Sequence, residues 1–222
     1  MILKKHKIIF VHIRKTGGNF IQEVLLPHSE DQKVIKKSHQ DSIERFSIEG
    51  EYTLKKHATV EDYYNIMGEE LFLQYELLTV YRDPVERMIS AFYSPARNIR
   101  KVEEVKDLTG SYPVNKNYVY VTPEFDLGKF EKVVARQPSI VDMLRLGEKT
   151  LKPHYLIRFD RLVADLSRIM KLKKLDGWEK LIQKRRVNVS FYHPEKQLYK
   201  NSDVVNIVMK YHGEDYRLLQ NL

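Results

Sequence analysis

The 222-residue chain predicts an α/β fold in which a central, mainly parallel sheet is flanked by helices. Apolar runs of strand length at 8–11, 77–81 and 155–159 are each followed by apolar residues at helical spacing. The several dozen residues between the first two strands leave room for a crossover, which favours parallel pairing. No Gly/Ser/Pro-rich linker and no internal repeat divides the chain, whose length suits one compact domain over residues 1–222.

The first strand has the β-branched and aromatic bias of a buried element and ends in the turn Lys15-Thr16-Gly17-Gly18. Phe20, Ile21, Val24 and Leu25 then recur at helical spacing. In such a unit the backbone N–H groups of the turn and of the helix N-terminus converge where a phosphate can sit. Lys15 adds a full positive charge to their partial ones. The pattern also suits a plain strand-turn-helix corner with a solvated lysine. Lys15 and Thr16 precede the glycines, the reverse of G-x-x-x-x-G-K-[ST], so an ordinary ATPase loop is not present.

Further along, Thr59 is a good N-cap with Asp62 at the capping-box position, which fixes His57 at a helix entrance. The second strand ends on Arg82 and passes straight into a helix. Asp83 can cap it, Pro84 suits its first turn, and Glu86 stands where it can close a capping box. At about 100° per residue, Val85, Met88, Ile89 and Phe92 share one face, while Asp83, Glu86, Arg87 and Ser90 share the other. Ser90 is thus expected to point away from the core, on the side of Arg82, where the two can hydrogen-bond one phosphate.

The segment 99–128 is charged at first and then brings Tyr112, Tyr118 and Tyr120 in quick order. Tyrosines often line sugar sites and are also common in strands and cores. The third strand is followed by Asp160 as a cap and a helix with Leu162, Val163, Leu166, Ile169 and Met170 on its apolar side. A helix over 176–184 holds Trp178, and a closing helix is expected over 204–216.

The run His12-Ile-Arg-Lys-Thr-Gly-Gly resembles the H-I-P-K-T-G-G-[TS]-[ST] loop of the carbohydrate-type sulfotransferases, and Arg82-Asp-Pro-Val-Glu-Arg-Met-Ile-Ser90 resembles their R-[DN]-P-x-x-R-x-x-S signature. The resemblance implies a P-loop-like sulfotransferase fold and 3′-phosphoadenosine 5′-phosphosulfate (PAPS) as the sulfuryl donor. By this resemblance Arg14, Lys15, Thr16, Gly17, Gly18 and Asn19 hold the donor's 5′-phosphosulfate, and Arg82 and Ser90 hold its 3′-phosphate. Residues 155–170 resemble the family's third conserved block. The basic and aromatic stretch 185–193 stands where family members fold a loop over the nucleotide, which makes Arg186, Asn188 and Ser190 donor-binding candidates or simply parts of a polar loop. The chain departs from the pattern at Arg14, where proline is usual, and at Asn19 and Phe20, where hydroxyl residues are common. Arg14 adds charge to the mouth, Asn19 can donate through its amide, and Phe20 is expected in the core.

Sulfuryl transfer resembles phosphoryl transfer in its loose, in-line transition state, with charge developing on the leaving bridge oxygen. Lys15 is the group expected to meet that charge. The acceptor hydroxyl needs a general base, and of the eight histidines His57 is the candidate. Related glycan sulfotransferases place a base at a comparable point between the two donor motifs. His39 is the rival. The scheme requires no metal.

Net charge is +8 with a pI near 9.4, a positive field that suits an anionic donor and an acidic acceptor. No zinc finger, ribonucleoprotein motif or basic-aromatic stripe supports nucleic acid as the polyanion. The expected partners are PAPS, its bisphosphate product and a hydroxyl-bearing acceptor, a glycan first. No apolar run approaches the roughly 18 residues of a membrane span, no secretory signal fits the N-terminus, and there is no cysteine. A soluble, cytoplasmic protein is expected. Two alternatives stay open: a P-loop-like small-molecule kinase, and a non-catalytic nucleotide-binding module of the same fold.

Overall fold

The computed structural model describes residues 1–37, 45–94, 98–183 and 196–220. Strands β1 (Ile2–Leu3) and β2 (Ile8–Val11) open the chain, and a turn leads from β2 into α1 (Gly18–Leu25). Next come β3 (Gln32–Lys37) and β4 (Arg45–Glu49), then α2 (Val60–Met67), α3 (Glu69–Phe72), β5 (Glu76–Tyr81) and α4 (Pro84–Phe92). Strands β6 (Ile99–Lys101), β7 (Ser111–Asn115) and β8 (Tyr118–Val121) form a small antiparallel sheet in the order β6-β8-β7. They are followed by α5 (Leu127–Val134), α6 (Ile140–Met143), the two-residue strands β9 (Arg145–Leu146) and β10 (Lys149–Thr150), and β11 (Tyr155–Arg158). Helices α7 (Leu162–Leu172), α8 (Trp178–Ile182) and α9 (Ser202–Gln220) complete the described chain.

The main sheet has the order β1-β2-β5-β11. β5 runs parallel to β2, from Ile8↔Glu76 to Val11↔Thr79, and to β11, from Tyr155↔Leu78 to Arg158↔Tyr81. Its edge strand β1 is antiparallel to β2, so the sheet is mainly parallel, as the crossover spacing predicted. Both faces are covered. Ile8, Phe10, Leu78, Val80 and Ile157 pack with Ile21 and Val24 of α1 and with Leu166 and Ile169 of α7. Ile9, Val11 and Leu77 pack with Val60, Tyr63 and Met67 of α2. Burial on both sides explains why these strands read as continuous apolar runs instead of alternating ones. Each fully buried aliphatic side chain contributes on the order of 1.5–3 kcal/mol. Because β2, β5 and β11 are parallel, their C-terminal ends share one edge of the sheet. The turn after β2, Arg82 after β5 and Phe159 after β11 are therefore neighbours, as ligand-binding loops of open α/β sheets are.

Three local expectations are corrected. Arg87, expected on the solvent face of α4, is completely buried because α9 covers that face. Its Nη1 donates to the Pro138 carbonyl at 3.0 Å and its Nη2 to Asp215 Oδ2 at 3.1 Å. Val85, Met88, Ile89 and Phe92 do face a core, shared with Phe130 and Val134 of α5 and Val204 and Val208 of α9. Asp83 caps α4, accepting from the Glu86 amide at 3.0 Å, but Glu86 does not close the box. Its carboxylate turns to Arg82 at 3.5 Å, since a cation one turn away competes with the cap's backbone amide. Asp160 does not cap α7; it lies in a 3₁₀ turn, 159–161, and forms a fork with Arg158 at 3.2 and 2.8 Å. Among the described residues no helix is long and apolar enough to cross a membrane.

Candidate active site

The turn after β2 is built on two left-handed residues, Lys15 (φ 67°) and Gly17 (φ 81°). A non-glycine residue with positive φ is costly, and here the surroundings hold it. Thr16, fully buried, donates its hydroxyl to the Ile13 carbonyl at 2.8 Å, and Arg82 Nη1 donates to the Lys15 carbonyl at 3.1 Å. The two glycines are needed for different reasons. Gly17 supplies the left-handed conformation, and a Cβ there would also stand 2.9 Å from Leu162 Cδ1. Gly18 lies against the His12 ring, where a Cβ would fall 2.1 Å from Cδ2. The turn thus closes tightly on β2.

Two cations meet at this edge. The Lys15 ammonium donates to Ser94 Oγ, just past the end of α4, at 3.3 Å. The Arg82 guanidinium lies 4.0 Å over the centre of the Phe159 ring, a stacked cation–π geometry. Burial, opposed by Glu86, lowers the Arg82 pKa without neutralising so basic a group. Its Nε is buried and has no hydrogen-bond partner, standing 3.5 Å from Glu86 Oε2. A buried guanidinium nitrogen with a distant ion pair and no hydrogen bond suits an anionic ligand.

His57 meets the same loop at His12. The predicted capping box is formed: the Thr59 amide donates to Asp62 Oδ2 at 2.7 Å and the Asp62 amide to Thr59 Oγ1 at 3.1 Å. This fixes the entrance of α2 and with it the imidazole, whose Nδ1 lies 2.9 Å from the His12 carbonyl. A carbonyl only accepts, so Nδ1 carries the proton and Nε2 keeps its lone pair. The His12 and His57 rings are 4.4 Å apart. Burial pushes the His57 pKa down to about 4, with the charges of Arg14 and Lys56 adding to the shift. The imidazole is therefore neutral at ordinary pH.

Lys15 and Arg82 are thus in one constellation, and His57 joins it through His12, the first residue of the loop. Arg14 is exposed, Asn19 is partly buried, and Phe20 packs in the core as expected. Thr16 can reach a ligand through its backbone alone, because its hydroxyl is tied to Ile13. Ser90 is partly exposed on α4. His39, Arg186, Asn188 and Ser190 lie outside the described residues. Of the three tyrosines, Tyr120 is buried and donates its hydroxyl to the Tyr93 carbonyl at 3.1 Å, a support for the end of α4. Tyr112 is exposed.

Ser94 and Phe159 were missed in the sequence. Ser94 follows Ser90 by four residues, the spacing that keeps two side chains on one side of a helix, and that was the available signal. Phe159 ends the third predicted strand, and only strand order brings it to Arg82.

A family model described as Sulfotransferase family matches residues 1–219. No curated protein and no solved structure matches the chain.

Proposed function

The chain belongs to the sulfotransferase family, and on that footing we propose that it moves a sulfuryl group from PAPS to a hydroxyl of an acceptor, with a carbohydrate or glycoconjugate as the acceptor class and residues 1–222 acting as one domain. The observation that carries this reading is the 3.1 Å bond from Arg82 to the Lys15 carbonyl, which joins the two donor motifs into one anion-binding edge. The left-handed turn and the buried Arg82 Nε, ion-paired to Glu86 but not hydrogen-bonded, fit a donor with phosphates at both ends. PAPS, when bound, supplies the sulfuryl group, whose bond to the 5′-phosphate oxygen breaks as the acceptor oxygen bonds to sulfur.

In this reading the backbone amides at Gly17, Gly18 and Asn19 orient the 5′-phosphate, with Arg14 adding charge at the mouth. Arg82 and Ser90 hold the 3′-phosphate. Lys15 stabilises the charge on the leaving oxygen, a role whose removal costs about 10²- to 10³-fold in turnover. His57 Nε2 takes the acceptor proton. A base with a pKa near 4 is always unprotonated at neutral pH, and the negative charge of a bound donor raises its basicity.

Calorimetric titration with adenosine 3′,5′-bisphosphate and, separately, with magnesium ATP tests the reading. Wild-type protein is expected to bind the bisphosphate in preference to ATP, and Arg82→Ala to weaken that binding by about tenfold or more, as for a charge-assisted hydrogen bond. ATP binding as tightly as the bisphosphate would favour the kinase. Binding of neither would remove the donor-site reading.

A further inference from the structure

We propose that Phe159 is a positioning residue for the donor, its ring holding the Arg82 guanidinium in the plane from which it grips the 3′-phosphate. This inference rests on the sulfotransferase reading and on the place of Arg82 in it. The register of the parallel strands brings the two side chains together. Arg158 of β11 lies opposite Tyr81 of β5, so the residues that follow, Phe159 and Arg82, leave the sheet side by side. The backbone of Phe159 is held on both sides. The Arg158 amide donates to Asp165 Oδ2 of α7 at 3.0 Å, and Phe159 itself opens the 3₁₀ turn 159–161 that leads into α7. Its ring, partly exposed, packs at the margin of the core shared by α1 and α7.

That ring meets both donor motifs. The Arg82 guanidinium lies 4.0 Å over its centre, and a Cβ at Gly17 would stand 3.3 Å from its Cε2, which places the turn against the same ring. A guanidinium donates in its own plane, so a ring that covers one face decides where its N–H groups point. Two of those directions are visible. Nη1 donates to the Lys15 carbonyl at 3.1 Å, and Nε, buried and without a hydrogen bond, faces Glu86 at 3.5 Å. The Glu86 side chain is 47% exposed, a weak tether for a long side chain. An arginine left to itself gives up rotamer freedom when it binds. One already laid on a ring has given up much of it before the ligand arrives.

The test is a double-mutant cycle read by calorimetric titration with adenosine 3′,5′-bisphosphate, on the wild type, Phe159→Leu, Arg82→Ala and the double variant. Phe159→Leu keeps an apolar side chain on the core and removes the flat face. It is expected to weaken binding by about 2- to 13-fold, the cost of immobilising one flexible side chain at the moment of binding. In the Arg82→Ala background the same change should cost less than about twofold, because the group it positions is gone. Phe159→Tyr, which restores a flat ring, should bind within about twofold of the wild type. If Phe159→Leu does not fold, Phe159→Met takes its place in the cycle. An equal loss in both backgrounds assigns the ring to a direct contact with the nucleotide and overturns the inference alone. So does a loss in Phe159→Leu of less than about twofold, or a loss in Phe159→Tyr as large as in Phe159→Leu. Wild-type protein that binds no bisphosphate, or Arg82→Ala that binds as well as the wild type, overturns the donor reading and this inference together.

Discussion

Replacing His57 with alanine is expected to lower turnover by about 10²- to 10⁴-fold, the range that a positioned general base contributes, with bisphosphate affinity unchanged. The expectation follows from the tautomer. Nδ1–H is committed to the His12 carbonyl at 2.9 Å, which aims a fixed lone pair from Nε2. His57→Asn is the companion variant, since its amide can still donate to that carbonyl while it offers no basic nitrogen. If both variants turn over like the wild type, His57 is not the base and His39 takes its place. The same imidazole has a stability signature. Its folded pKa, about 4, lies below the unfolded value near 6.5, so the unfolded chain binds the proton first. Stability associated with the neutral ring is full above about pH 6.5 and is lost as pH falls toward 4. Denaturation midpoints measured between pH 7 and 5 should fall less steeply in His57→Asn than in the wild type.

Arg87→Ala is expected to be the most destabilising single change on α4, by about 3–5 kcal/mol, because removing one member of a buried ion pair leaves the other charged and unpaired. Arg87 and Asp215 are both fully buried, 3.1 Å apart. Asp215 Oδ1 also accepts from the Val141 amide at 3.1 Å, and His212 Nε2 lies 3.2 Å from the Val134 carbonyl. The guanidinium thus ties α4 to α6, α9 and the segment before α6. A loss of that size in a chain of this length lowers the melting temperature by roughly 6–20 °C. Arg87→Lys keeps the charge but cannot reach both the Pro138 carbonyl and Asp215, so it should fall between wild type and alanine. A melting temperature in Arg87→Ala within about 2 °C of wild type, no more than the shift that about 1 kcal/mol produces at this size, would show that the pair is not a keystone of the fold.

Much of the architecture was legible because its signals are local. The strand at Ile8–Val11 and the helix after it, the box at Thr59 and Asp62, and the Asp83 cap each depend on residues within one turn or one strand of each other. Where local rules failed, competing partners had intervened, some near in sequence and some distant. Arg87 falls on the polar side of α4 by its angle, and no count along the helix could show that α9 packs there. Glu86 occupies the box position, yet Arg82 claims its carboxylate. Ser94 and Phe159 acquire meaning only through partners many residues away, Lys15 and Arg82.

The sequence by itself determined the mainly parallel α/β sheet, the two motifs and their order, and which residues are candidates to meet an anion, since periodicity, caps and glycine turns act over a few residues. The tertiary structure alone decided which of those groups face one another: that Arg82 grips the Lys15 carbonyl, that His57 is neutral and directed by His12, and that Arg87 is a buried strut. Contacts between distant segments are fixed by packing in three dimensions, and burial there sets each group's charge and hydrogen-bonding, so neither can be read along the chain.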